Sequence, residues 1–194
     1  EGRVARYDPR PWPSSVAQKE NTMSASPANV TAALMIIGNE ILSGRTKDAN
    51  LNYLARQLTA MGIELAEVRA IRDETDTIVS AVNELRALYT YVFTTGGIGP
   101  THDHITCEAV SKAFGRRYLL NQEARAILVD YYDGSEEELN EARLRMAHTP
   151  EGAELVDNPV SRAPGFRVEN VFVMAGIPAV MRGKYVSVVF LLSI

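Results

Sequence analysis

Three apolar segments of this chain are each followed by a helical pattern, and this repeat is the strongest constraint on its fold. Residues 33–37 are apolar without alternation, which is typical of a central parallel strand covered on both faces. Residues 63–71 alternate less strictly and predict a second strand nearer the sheet edge, and residues 91–94 predict a third. Short connections between these strands and helices predict a parallel sheet with right-handed crossovers and helices on both faces.

The helices between the strands are predicted from apolar side chains at i, i+3 and i+4 spacing. The first begins after Thr46 or Asp48, either of which is a suitable cap, and stops at Gly62. Asp73 and Thr75 introduce the second, and the third covers about 105–114. The apolar stripes predicted for the first two helices are Leu51, Leu54, Ala55, Leu58 and Met61, then Ile78, Val79, Val82, Leu85 and Leu88.

The second half of the chain is predicted to be less regular. A helix over 122–132 is followed by an acidic helix over 136–147, for which a solvent-exposed face is the simpler interpretation. Residues 149–166 are rich in loops, with a short strand at 154–156. Residues 171–174 predict a fourth central strand, followed by a glycine-containing turn.

The densest motif is the segment 94–106, Thr-Thr-Gly-Gly-Ile-Gly-Pro-Thr-His-Asp-His-Ile-Thr, between the third strand and its helix. Glycines at 96, 97 and 99 remove side chains where the backbone bends sharply or approaches another molecule, for which a phosphate is the candidate. Asp103 or Thr101 is a suitable helix cap, and the free N–H groups of that helix favour an anion. An ordinary connection between strand and helix is the alternative interpretation.

Three turns are predicted at the same edge of the sheet. Ligands of open α/β sheets bind beyond the carboxyl ends of the strands. The turns at 38–44, 94–103 and 175–178 all follow strands, so we expect them to face one crevice. This arrangement favours a shared anion site over three unrelated turns.

Composition excludes several classes of protein. The chain has 194 residues, enough for a single domain, and its net charge of −4 comes with no basic cluster that would favour nucleic acid. No stretch is long and apolar enough to span a membrane. The single cysteine, Cys107, allows no internal disulfide and suits a reducing, cytoplasmic compartment, and no pattern around it indicates a nucleophile.

We predict three regions in the chain. Residues 1–30 carry prolines and no apolar periodicity, so we expect a disordered or non-native leader. Residues 31–181 form the domain. Residues 182–194 read as a basic hinge and a strand, an atypical C-terminal tail whose exposed apolar strand could pair with another chain.

Three motifs together carry a family resemblance: Gly-Asn-Glu-Ile-Leu-Ser-Gly at 38–44 with Asp48 and Asn50, the segment 94–106, and the segment 158–178. Over about residues 33–181 the chain closely resembles the MoaB/Mog-like molybdopterin-binding domain of the competence/damage-inducible CinA family. The resemblance implies a three-layer α/β/α sandwich with a mostly parallel central sheet, in a homo-oligomer that is a dimer or trimer. In relatives this domain binds molybdopterin or its adenylylated form, and in CinA-like proteins it is associated with metal-dependent hydrolysis of the pyrophosphate in ADP-ribose.

The resemblance also implies roles for individual residues. Asp103 is implied as a catalytic residue and a ligand of a divalent metal such as Mg²⁺, although a helix cap is its structural alternative. Glu40 is implied as catalytic, and a carboxylate that stabilises the turn is the alternative. The residues implied to bind the ligand or its phosphate are Gly38, Ser43, Gly44, Asp48, Thr95, Gly96, Gly97, Gly99, Thr101, Thr106, Gly176 and Pro178.

The chemistry implied for this site is hydrolysis of a pyrophosphate or nucleotidyl transfer. Either reaction needs charge neutralisation at phosphate oxygens, which glycine-loop amides and a carboxylate-held Mg²⁺ provide. His104 stands where many relatives have a second aspartate, which removes one hard oxygen ligand. That departure motivates the alternative hypothesis, a non-catalytic ligand-binding or scaffold module.

His102 and His104 are two residues apart, so both could point toward one ligand only in a loop or strand.

Overall fold

The computed structural model describes residues 29–48, 50–98, 105–132, 140–156 and 164–174. Its strands are β1 (Thr31–Ile37), β2 (Glu64–Ile71), β3 (Tyr91–Thr95), β4 (Tyr118–Leu120), β5 (His148–Pro150), β6 (Glu154–Val156), β7 (Gly165–Val168) and β8 (Val171–Met174). Its helices are α1 (Asn39–Leu42), α2 (Asn50–Ala60), α3 (Thr75–Leu88), α4 (Thr106–Ala113), α5 (Gln122–Tyr131) and α6 (Glu141–Arg145).

The described strands form one large sheet and one small one. The large sheet has six strands in the order β2-β1-β3-β8-β7-β6. Its first four strands are parallel, and β7 and β6 add antiparallel pairs. The predicted mostly parallel sheet is therefore confirmed, with β2 at its edge as expected. Strands β4 and β5 form a separate antiparallel pair that the sequence analysis did not predict.

The central strand β1 is buried on both faces, which produces the three layers. Successive side chains of a strand point to opposite faces of the sheet. Ala33, Met35 and Ile37 belong to the apolar cluster that includes α3 and α4 residues. Ala32, Leu34 and Ile36 belong to the cluster that includes Leu54 and Leu58 of α2. This packing confirms the α/β/α sandwich.

A smaller cluster lies under α5 and α6. Ala124, Leu128 and Ala147 are fully buried there. Nδ1 of His148 lies 3.0 Å from the carbonyl oxygen of Leu144, in the last turn of α6. No helix in the described ranges is both long enough and apolar enough to cross a membrane.

Several predicted details need correction. Leu88 is 63% exposed instead of buried, because α3 ends at this residue. Within the described residues the acidic helix is confined to Glu141–Arg145, and residues 133–139 lie outside them. Asp48, not Thr46, caps α2, since its Oδ1 accepts a hydrogen bond from the Leu51 N–H. The predicted leader, except for residues 29 and 30, and the predicted tail lie outside the described residues.

The turn after β3 is held against the end of β1 by a close contact between backbones. Gly96 has φ 97°, and a Cβ added to it would lie 2.0 Å from the carbonyl oxygen of Ile37. Gly97 has φ 63°, and its added Cβ would lie 2.0 Å from Oγ1 of Thr106. Thr106 in turn donates from its hydroxyl to the Gly96 carbonyl and from its N–H to the Gly97 carbonyl, both at 3.3 Å. Both glycines are therefore required by the protein's own packing.

Replacing Gly96 by alanine should destabilise the domain strongly. The new methyl group combines an unfavourable positive φ with a collision against backbone that cannot move aside, so we expect a loss of at least about 3 kcal/mol. Gly62→Ala is the matched control, because Gly62 also has a positive φ but no atom within 4 Å of an added Cβ. It should cost only about 1–2 kcal/mol. Urea denaturation followed by circular dichroism measures both, and equal losses would contradict the contact.

An ion-pair network joins β2 to α3. The Arg69 guanidinium donates to Oε1 of Glu67 at 2.8 Å and to both carboxylate oxygens of Glu84 at 2.7 and 3.3 Å. The hydroxyl of Tyr89 donates to Glu67 at 2.8 Å. The Tyr89 and Arg69 hydrogen bonds lower the pKa of Glu67, and Arg69 lowers the pKa of Glu84.

The contribution of this network to stability should vanish in acid. Because the pKa values of Glu67 and Glu84 are depressed in the folded state, their contribution is complete above the ordinary value of 4.5 and is lost as pH falls through the lowered values. We expect Arg69→Met to reduce the free energy of unfolding more at pH 7 than at pH 3. Thermal melts between pH 3 and pH 7 test this difference. The control is Arg56→Met, because Arg56 is an exposed residue of α2. An Arg69→Met effect independent of pH would contradict the prediction.

Candidate functional site

A cavity of about 100 Å³ lies where β1 and β3 end. A cavity needs only about 10–15 Å³ of such space to hold one water, so this one has room for several waters or a group the size of a phosphate. Its lining combines the strand ends with the start of α1 and the segment leading into α2. The residues that line it are Ile36, Ile37, Glu40, Ile41, Thr46, Lys47, Asp48, Asn50, Thr95 and Gly96.

Thr95 is one of the residues that line this cavity, and its hydroxyl is buried. Its side chain is 1% exposed, and its Oγ1 has no hydrogen-bond partner within the described residues. A buried hydroxyl left without a partner costs about 1–3 kcal/mol. Because Thr95 lines the cavity, a ligand atom there can supply the missing partner.

The neighbouring Thr94 provides an internal comparison. Its Oγ1 is also buried without a partner among the residues described. Thr94 pairs with Met35 of β1, on the α3 and α4 face, whereas Thr95 pairs with Ile36 on the α2 face. Both hydroxyls are buried without a partner among the described residues, but of the two residues only Thr95 lines the cavity.

Glu40 lies over the end of β1. Its carboxylate folds back so closely that a Cβ added to Gly38 would lie 2.6 Å from Oε1. Glu40 is also one of the residues that line the cavity. The cavity lining brings together four residues of the predicted set, Glu40, Asp48, Thr95 and Gly96. Glu40 also contacts Gly38 in the turn, as its structural alternative required. Its catalytic role stays a prediction.

Asp48 has a structural task at the same cavity. Its Oδ1 accepts the Leu51 N–H at 2.7 Å, at the start of α2, and Asn50 beside it is buried. The carboxylate caps α2, and Asp48 is one of the residues that line the cavity. Binding of a ligand by Asp48 stays a prediction.

Ser43 and Gly44 end α1 and lie outside the cavity lining. The Ser43 hydroxyl donates to the Glu40 carbonyl at 3.2 Å and accepts from Nε of Arg45 at 3.1 Å. Gly44 has φ 72° and open space around it. Both residues therefore have local conformational roles, and phosphate binding by them stays a prediction.

Asp73 is the residue that the sequence analysis missed. It was interpreted only as introducing a helix, but its Oδ2 accepts the Asn39 N–H at 3.1 Å. Its Oδ1 would lie 3.5 Å from a Cβ on Gly97. Asp73 thus lies between the start of α1 and the glycine turn. The signal was its place just after β2, since parallel neighbouring strands end at one edge of the sheet.

Other predicted site residues lie outside the described residues: Gly99, Thr101, His102, Asp103, His104, Gly176 and Pro178. Among the residues described, no three His, Cys, Asp or Glu side chains form a metal-binding group. The carboxylates of Glu40 and Asp73 are nonetheless the hard oxygen donors that Mg²⁺ accepts from proteins, usually one or two at a time. The donor types at this edge fit a divalent cation.

Cys107 is buried in the core, as expected of a structural thiol.

Comparison with known proteins places this fold in a family. Residues 33–192 match the family described as "Probable molybdopterin binding domain". A protein of Metallosphaera sedula is 36% identical over 156 residues, which are 78% of this chain and 59% of the relative. The CinA-like protein of Kosmotoga olearia is 34% identical over 162 residues, 81% of this chain and 39% of the relative. The chain therefore spans less than two thirds of the length of either relative.

Solved structures agree with the sequence relatives. The protein CinA with unknown function from Thermoplasma acidophilum superposes with a TM-score of 0.74 at 31% identity, over 80% of this chain and 94% of that chain. The tungsten cofactor synthesizing protein MoaB from Pyrococcus furiosus shares the fold, with a TM-score of 0.53 at 18% identity, over 87% of this chain and 98% of that chain. The chain belongs to the probable molybdopterin binding domain family, as a MoaB/Mog-like domain of the CinA type.

Proposed function

We propose that the cavity beside Thr95 binds the phosphate end of a phosphorylated pterin or an adenine nucleotide, and that the bound pyrophosphate is hydrolysed or formed with the help of a divalent cation. The observation that carries the proposal is the buried hydroxyl of Thr95, a residue that lines the cavity. This hydroxyl has no partner among the described residues. Membership of a molybdopterin-binding family supports the pterin, and the MoaB-like fold is consistent with it.

The charge of the cavity supports the requirement for a cation. Two carboxylates, Glu40 and Asp48, line it against one cation, Lys47. A phosphate dianion entering this lining meets a net negative charge, which is unfavourable at short range. A divalent cation held by carboxylates reverses that balance. We therefore propose that ligand binding depends on Mg²⁺ or a similar ion.

Each residue then has a defined task. The Thr95 hydroxyl donates to a phosphate oxygen, and the Lys47 ammonium neutralises part of the phosphate charge. Glu40 and Asp73 would hold the cation, together with Asp103 if the implied ligand is correct. When bound, the cation supplies charge neutralisation at the phosphate oxygens.

A second candidate is a ligand-binding module without turnover. The observation that favours it is that the carboxylates at this edge already serve the fold: Asp48 caps α2, Asp73 accepts the Asn39 N–H, and Glu40 covers Gly38. Release of AMP from ADP-ribose in the presence of Mg²⁺ or Co²⁺ separates the two. If the chain binds ligand but releases AMP no faster than an Asp103→Ala variant does, the module without turnover is supported.

Thr95→Val should weaken ligand binding without destabilising the domain. Valine keeps the shape but loses a hydrogen bond to a charged group, about 1.5–3 kcal/mol, so the dissociation constant should rise about 10- to 100-fold. Thr94→Val is the matched control and should leave binding unchanged. Neither substitution should lower the unfolding free energy, because each removes a hydroxyl that has no partner among the described residues.

Calorimetry with molybdopterin, ADP-ribose and FAD, each with and without Mg²⁺ or Co²⁺, measures these constants. No binding of any ligand, or equal effects of the two valine substitutions, would refute the proposed site.

Asp73→Asn should separate the two tasks of this carboxylate. The amide oxygen can still accept the Asn39 N–H, so the unfolding free energy should change by no more than about 1 kcal/mol. The negative charge is lost, so the enhancement of ligand binding by Mg²⁺ should fall at least about tenfold. Calorimetric titrations with and without Mg²⁺ check the result. Asp76→Asn, in a surface ion pair with Lys112, is the control. Retention of the full Mg²⁺ effect in Asp73→Asn would remove Asp73 from the proposed metal site.

The predicted homo-oligomer is also part of this proposal. The sequence alone left the choice between dimer and trimer open.

A further inference from the structure

Gly38 differs from the glycines of the turn after β3. Its φ is 164° and its ψ is 122°, which is extended backbone that any residue adopts. Its N–H donates to the carbonyl oxygen of Ile71 at 3.1 Å, so hydrogen bonding to β2 continues one residue beyond the end of β1. Gly96 and Gly97, by contrast, have positive φ angles. Backbone conformation therefore does not explain why residue 38 is a glycine.

The space that a side chain at residue 38 would fill is taken by Glu40. A Cβ added to Gly38 would lie 2.6 and 2.9 Å from the two carboxylate oxygens of Glu40 and 2.8 Å from its Cδ, and these are the three nearest atoms. Heavy atoms that are not bonded to each other do not approach a Cβ so closely. The Glu40 carboxylate can therefore lie here only because Gly38 has no side chain.

The missing side chain of Gly38 is on the face of the sheet that holds the cavity. Side chains alternate between the two faces along extended backbone, so residue 38 shares a face with Ile36. Ile36 packs in the cluster that includes α2 and pairs with Thr95 of β3. Ile36, Thr95 and Glu40 all line the cavity. The carboxylate that covers Gly38 is therefore on the cavity side of the sheet.

The backbone of Glu40 is anchored, whereas its side chain can turn. Its carbonyl oxygen accepts the Thr46 N–H at 3.1 Å and the Ser43 hydroxyl at 3.2 Å. Glu40 itself is exposed, so its carboxylate can swing into solvent. A methyl group at residue 38 would thus displace the carboxylate by rotating the Glu40 side chain, without moving α1.

We propose that Gly38 is a positioning residue, which leaves the room that the Glu40 carboxylate needs beside the cavity, and that this carboxylate makes phosphate binding depend on a divalent cation. The inference rests on the proposed function, in which Glu40 holds the cation. It gives Gly38 a task other than the phosphate contact that the family resemblance implies. With the carboxylate in place, a bare phosphate is repelled and a phosphate with a bound cation is favoured. With the carboxylate turned away, both effects shrink.

Gly38→Ala tests this role, with inorganic phosphate as the probe. In the full 194-residue chain, phosphate binding without Mg²⁺ should tighten about three- to tenfold, because a negative charge moves away from the cavity. The enhancement of phosphate binding by Mg²⁺ should fall about tenfold, because a ligand of the cation is lost. Phosphorus NMR titrations measure both quantities. Weaker phosphate binding both with and without Mg²⁺ would overturn the proposal, since it would mean that the methyl group blocks the phosphate itself.

Glu40→Ala supplies the background that separates positioning from direct contact. It removes the carboxylate, so its effects on phosphate binding should match those of Gly38→Ala. Adding Gly38→Ala to Glu40→Ala should change nothing further, because the group to be displaced is already gone. A further loss of binding in the double variant would show that residue 38 contacts the phosphate, and would overturn the proposal.

Gly62→Ala is the matched control. Gly62 has a positive φ and no atom within 4 Å of an added Cβ, so alanine there should lower the urea midpoint and leave phosphate binding unchanged. Gly38→Ala should do the opposite, because extended backbone admits alanine while the carboxylate is displaced. A lower urea midpoint for Gly38→Ala, with the Mg²⁺ enhancement retained, would show a purely structural role and contradict the proposal.

A crystal structure of Gly38→Ala separates this inference from the proposed function. It should show α1 in place and the Glu40 carboxylate turned toward solvent. A carboxylate that stays beside the cavity, or a displaced α1, would overturn the positioning role. If no variant binds phosphate, the unsubstituted chain included, the proposed function and the effect on cation dependence are both refuted. The position of Glu40 in the crystal still confirms or overturns the positioning role in that case.

Discussion

The contact between Gly96 and the carbonyl oxygen of Ile37 determines how the ends of the two central strands meet. With no side chain at residue 96, the chain can turn directly beside the end of β1 as it leaves β3. Thr106, the first residue of α4, holds this turn through its hydrogen bond to the Gly96 carbonyl. This geometry leaves the cavity open beside Thr95. Packing alone requires Gly96 and Gly97, so their presence is no evidence for a phosphate. The stronger argument is the Thr95 hydroxyl, which has no partner among the described residues.

The site edge combines structural and chemical tasks in the same side chains. Asp48 fixes the start of α2, and Asp73 fixes the start of α1. Both carboxylates are thereby held in place before any ligand arrives. Such preorganisation favours cation and phosphate binding because little side-chain freedom remains to be lost. It also means that removing a carboxylate entirely perturbs the fold, so conservative amide substitutions are more informative.

The layered fold was predictable because long apolar runs and helical periodicity encode it directly. The continuous run at residues 33–37 indicated a strand buried on both faces, which β1 is. Leu88 was misassigned because periodicity does not locate the last turn of a helix. The pairing of β4 with β5 joins segments far apart in sequence, which no local pattern reveals. Asp73 was missed for the same reason: its position beside Gly97 depends on two strands ending together.

The central claim is that the Thr95 hydroxyl recognises a phosphate group at the shared end of β1 and β3. A crystal structure of the chain with ADP-ribose and Mg²⁺ tests it most directly. The account predicts a phosphate oxygen within hydrogen-bonding distance of Thr95 Oγ1, about 2.5–3.0 Å, inside the cavity bordered by Lys47 and Asp48. Ordered ligand elsewhere, with only water beside Thr95, would contradict it.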